Sequence, residues 1–73
     1  MQKRYFIEIV KYNRLGMIDN IPLRSETESK EIAIIIFMDF IKKAREAGSD
    51  GVILSHGFNA EFAEVLERWG RGL

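Results

Sequence analysis

Ile32-Ala-Ile-Ile-Ile-Phe-Met-Asp-Phe-Ile41 is the stretch whose reading decides the fold. At about 100° per residue, Ala33, Ile36, Phe37, Phe40, Ile41, Ala44 and Ala47 form one apolar arc of a helix. Ile34 and Met38 widen that arc to about 200°, where a surface helix needs a stripe of about 100°. Glu28, Glu31, Asp39, Lys42 and Glu46 mark the opposite side, with Ile32 and Ile35 intruding on its margins. The helix therefore carries more apolar surface than one small sheet covers. Ile32, Ile34, Ile35 and Met38 are the candidate self-association residues.

The flanks of this run supply helix punctuation. Ser25 followed by Glu28 reads as a capping box, and Gly48 is placed to stop the helix in a left-handed cap. Glu26, Glu28 and Glu31 gather at the start, and Lys42, Lys43 and Arg45 at the end, both favourable to the helix dipole. From Ser25 to Gly48 the spacing predicts a helix of about 22 residues, roughly 33 Å long.

Beyond it, Gly51-Val-Ile-Leu-Ser55 is a short continuous apolar run bounded by turn residues, the pattern of a buried strand. Asn59 is a plausible cap for a second helix over 60–69. Its apolar face would hold Phe62, Val65, Leu66 and Trp69, next to Phe58 just outside the cap. Gly70 would end that helix, and Arg71-Gly72-Leu73 reads as a frayed tail. Trp69 is a core residue by default, although an aromatic near a chain end also suits an interface.

Before the long helix, residues 4–12 are rich in β-branched and aromatic types and are apolar on both faces, as in a central strand. Asn13-Arg14-Leu15-Gly16 supplies turn chemistry. Residues 17–21 return as a second strand, which Pro22 ends or confines to an edge. The expected fold is a single α+β domain over 1–73, of order ββαβα. Its three-stranded antiparallel sheet has order 2-1-3, with one long and one short helix on one face.

The chain has 73 residues, no cysteine and one histidine. Disulfides and cysteine-containing zinc frameworks are thereby excluded. A domain this small buries only about 60% of its unfolded surface, which favours a homodimer. The apolar run is half the length of a membrane span and carries Asp39, so no membrane association is expected. No targeting signal is visible, and the expected location is cytoplasmic.

Formal charge is zero but unevenly placed. Residues 1–24 hold five basic and two acidic side chains, and residues 25–73 hold six and nine. Such asymmetry steers a partner or lets two parts of one fold attract each other. Lys3, Arg4, Lys11, Tyr12 and Arg14 are the candidate partner-binding set. Together with Tyr5 and Phe6 they resemble the recipe for single-stranded nucleic acid, aromatics on a sheet flanked by cations. The near-neutral pI of 6.6 and the absence of an RNA-binding motif weigh against it.

His56 is the first place to look for catalysis. In a strand, however, adjacent Ser55 and His56 point to opposite faces, and no second His or Cys completes a nucleophile–base constellation. The glycines at 48, 51 and 57 fit no phosphate-binding fingerprint. No catalytic residue, metal site or cofactor is assigned. The expected function is non-enzymatic: a protein-interaction module that regulates or inhibits by occluding a surface of an unidentified protein. Small modules of this kind are frequent among phage and mobile-element accessory proteins. Single-stranded nucleic-acid binding through the first strand is the alternative.

Overall fold

The computed structural model describes residues 2–70; Arg71, Gly72 and Leu73, expected as a frayed tail, lie outside that range. Five elements follow one another: β1 (Arg4–Tyr12), β2 (Ile18–Thr27), α1 (Lys30–Ala47), β3 (Gly51–Gly57) and β4 (Glu64–Gly70). The strands form one antiparallel sheet of order β2-β1-β3-β4, with α1 across one face. The class and the 2-1-3 order agree with the sequence reading; the sheet gains a fourth strand.

β1 is central because both of its faces are apolar, and Phe6 through Val10 are all buried. On the helix side, Tyr5, Ile7 and Ile9 pair with Thr27, Ser25 and Leu23 of β2 and with His56, Leu54 and Val52 of β3. Ile7, Ile9, Val52 and Leu54 then pack against Ala33, Phe37, Phe40 and Ala44 of α1 to make the core. The turn between β1 and β2 is closed by Asn13, whose side-chain oxygen accepts from Leu15 N and Met17 N at 2.9 and 3.1 Å. Gly16 takes the positive φ of 78° that this turn requires.

Two expectations about boundaries are overturned. β2 runs through Pro22 to Thr27, so Ser25 is a strand residue and the helix is 18 residues long. Pro22 is tolerated because β2 is an edge strand, and Ile21 and Pro22 share a bulge opposite Val10. The cap is Ser29, whose hydroxyl accepts from Ile32 N at 3.3 Å. Glu26 and Glu28 instead flank Arg4, at 3.4 and 3.1 Å. At the other end the expected stop holds: Gly48 has φ 69°, and Ser49 N and Gly48 N donate to Ala44 O and Arg45 O.

The larger correction concerns 60–69. Asn59 does receive a hydrogen bond from Phe62 N, at 3.0 Å, yet the turn does not propagate. The segment becomes β4, antiparallel to β3. A helix of about ten residues is marginal by itself, whereas β3 is buried at six of its seven positions and its second edge needs hydrogen-bond partners. Strand pairing wins. Gly70 has φ 105°, and a Cβ there would collide with the Asp50 carbonyl oxygen, so the close approach of β4 to the start of β3 requires glycine.

The far side of the sheet, without a helix, is covered by smaller means. Ala63 lies on Gly57, where a Cβ would meet its Cα at 2.9 Å. The turn from Phe58 to Ala63 thus folds back beside the sheet. Arg24 spans the same face, 3.7 Å from Glu8 and with its guanidinium 5.6 Å from the Phe6 ring centre. These groups shield Phe6 and leave Glu8 only 8% exposed.

The cap assignment is testable by urea denaturation. Ser29→Ala is expected to cost about 1 kcal/mol through the lost cap, while Ser25→Ala, on an edge strand, stays within about 0.5 kcal/mol. The reverse ranking would restore the longer helix.

Candidate protein-binding groove

The site follows from widths. Four strands spaced about 4.8 Å apart span roughly 14 Å between outer strand axes, and one helix with its side chains is about 10 Å across. α1 packs on β1, β3 and the near side of β2, leaving β4 almost bare on the helix face. A helix over 60–69 would have roofed that region. As a strand, the same segment widens the floor and removes the roof.

The result is an open groove of about 630 Å³ between α1 and β4. Ile34, Phe37, Met38 and Ile41 form the helix wall, Leu66 and Trp69 belong to β4, and Tyr5 and Leu54 line it from β1 and β3. Lys30, Glu67 and Arg68 are the charged members of the lining. Leu66 is the extra residue of a bulge, since Leu54 faces Glu67 and Ser55 faces Val65. Bulges re-aim side chains and bend the strand locally. The Arg45 guanidinium lies over the Trp69 ring at 5.5 Å, holding the indole in place beside the helix. β4 is an outer strand of the sheet, with one edge unpaired among the described residues.

The four residues singled out on the helix are all exposed: Ile32 by 50%, Ile34 by 46%, Ile35 by 68% and Met38 by 61%. They do not form one patch. Helical geometry puts Ile34 and Met38 on the groove side, Ile35 on the crown, and Ile32 toward β2. Leu66 and Ile41 were not singled out by sequence. Trp69, an interface candidate by its place near the chain end, stands on β4 and not on a helix.

The basic and aromatic set of β1 is not assembled into a platform. Lys3 lies over Phe58 at 5.7 Å and Arg4 is engaged by Glu26 and Glu28, all at one end of the strand. Lys11 and Tyr12 are at the other end, about 25 Å away at strand rise, with Arg14 in the turn beyond. The Tyr12 amide donates to Asp50 Oδ2 at 2.7 Å. Phe6 is 2% exposed, and Tyr5 is stacked on His56 with ring centres 4.2 Å apart. No row of open ring faces results. Ser55 is 3% exposed on the far face, so its hydroxyl and the His56 ring lie on opposite sides of the sheet. Among the described residues no group of three or more His, Asp or Glu gathers as a metal site. Among the described residues no helix is long and apolar enough to cross a membrane.

Compared with protein-family models, curated proteins and solved structures, the chain shows no significant match.

An anionic naphthalene dye that fluoresces in apolar surroundings is expected to bind the groove and accept energy from Trp69. Leu66→Glu should remove most of that signal while the circular dichroism spectrum stays unchanged. An undiminished signal would place the dye elsewhere.

Proposed function

We propose that this chain is a small, non-enzymatic protein-interaction module. It self-associates, and it regulates or inhibits a partner protein by covering part of its surface. The observation that carries this reading is the groove between α1 and β4: apolar walls and floor, a few charges in its lining, and an unpaired strand edge alongside. Contiguous apolar surface of this kind marks an interaction site more often than it occurs idly on a monomer. A partner segment laid there gains apolar burial from Ile34, Met38, Leu66 and Trp69. An extended segment also gains main-chain hydrogen bonds from the free edge of β4.

The aromatic anchor supports the same reading. Indole side chains are enriched among residues that dominate binding energy, and Trp69 is already oriented by Arg45. Little ordering cost then remains for the partner to offset. Nucleic-acid binding through β1 has no comparable support, because its cations are divided between the two ends of the strand, Phe6 is buried and Tyr5 is stacked on His56.

Capture from a lysate of the native host tests the proposal when wild type and Leu66→Glu are run side by side. Wild type should recover one protein in stoichiometric amount, and the variant should lose it. Recovery of no partner by wild type, or equal recovery by both, would overturn the groove as a binding site.

A further inference from the structure

The apolar surplus of α1 is larger than the groove uses. Glu31, Ile35, Met38 and Lys42 fall within about 60° of one another at 100° per residue, centred about 160° from the buried line through Ala33, Phe37, Phe40 and Ala44. All four are exposed. Their spacing of 4, 3 and 4 residues is that of a coiled-coil seam. Along the helix the seam reads acid, apolar, apolar, base. Glu31 and Lys42 are roughly 16 Å apart at 1.5 Å per residue, too far to pair within one copy. Among the described residues no ion-pair partner is found for Lys42, and Glu31 receives only the Ser29 hydroxyl, at 3.4 Å.

We propose that two copies pair through this seam, with their α1 helices antiparallel about a two-fold axis passing between Ile35 and Met38. This deepens the self-association already proposed and names its surface. The numbers 31 and 42 have the same sum as 35 and 38. An antiparallel two-fold therefore sets Ile35 against the second copy's Met38 and Glu31 against the second copy's Lys42, each twice. A parallel pair would set Glu31 on Glu31 and Lys42 on Lys42. Charge complementarity selects the antiparallel arrangement, and the opposed helix dipoles favour it too. The outcome is a four-layer sandwich, sheet–helix–helix–sheet. In that arrangement both α1–β4 grooves open on the same side of the dimer.

Sedimentation velocity over a dilution series tests this with four variants. Wild type should interconvert between monomer and dimer. Glu31→Lys and Lys42→Glu should each weaken the dimer about tenfold, since two attractive pairs become repulsive. An equimolar mixture of these two single variants should recover wild-type association, because each supplies the charge the other needs. Ile35→Glu should leave only monomer, whereas Ile32→Glu, about 90° from the seam, should leave the dimer intact.

Circular dichroism on the same samples separates lost pairing from lost folding, and recovery in the mixture shows that both single variants are folded. Wild type that stays monomeric throughout would overturn self-association as a whole. A wild-type dimer indifferent to the charge exchanges, or one broken by Ile32→Glu and not by Ile35→Glu, would overturn the seam and leave self-association standing.

Discussion

Everything distinctive about this molecule descends from the second edge of β3. Residues Gly51 to Ser55 are all buried, so the strand lies inside the sheet, and its outward backbone groups must be matched by another chain segment. β1 is already committed on one side and α1 lies across the face. Only the segment after Gly57 is long enough and near enough to serve. Its recruitment as β4 gives the described residues a four-stranded sheet and a single helix. The groove is the direct consequence, because one helix cannot roof four strands.

Charge placement works with this arrangement rather than apart from it. The positive first third and negative remainder of the chain meet in part within the fold, where Arg4 reaches Glu26 and Glu28. Arg24 meets Glu8 across the β1–β2 ladder, and its guanidinium also lies over Phe6. Those contacts hold a bent edge strand against the central one. They also engage Arg4, one of the cations that a nucleic-acid surface on β1 would have required. The exposed Arg4 pairs contribute little stability each, so their main effect is on the path of β2.

What the sequence made legible was local. The β1 pattern, the Asn13–Gly16 turn and the Gly48 stop each depend on residues within one turn or one strand, and each appears where its chemistry places it. What it hid was decided at a distance. Ser25 and Ser29 are both competent caps, and the choice falls to Ser29 because Ser25 and Thr27 are paired with Ile7 and Tyr5. Phe62, Val65, Leu66 and Trp69 satisfy a helical period on paper. The demand of β3 for a partner is invisible in their spacing, so propensity lost to tertiary pairing. The exposed helix residues were legible as surplus, but their division between groove, crown and the β2 side needed the position of the sheet.

That division gives α1 three different faces around its circumference. The arc centred on Phe37 and Phe40 packs on the sheet and supplies the stability of the protomer. The arc through Ile34 and Ile41 forms the wall of the groove, where the proposed partner segment would lie. The crown carries Ile35 between Glu31 and Lys42, two charges that have no use for each other inside one copy. Apolar area alone would make such a crown promiscuous, and a charged pair set at opposite ends restricts which orientation of a second helix it accepts. In the proposed dimer, affinity and orientation are thereby assigned to different residues of the same seam. Only Met38 belongs to both the groove and the crown, which makes it the one position through which occupancy of the groove and pairing of the helices can influence each other.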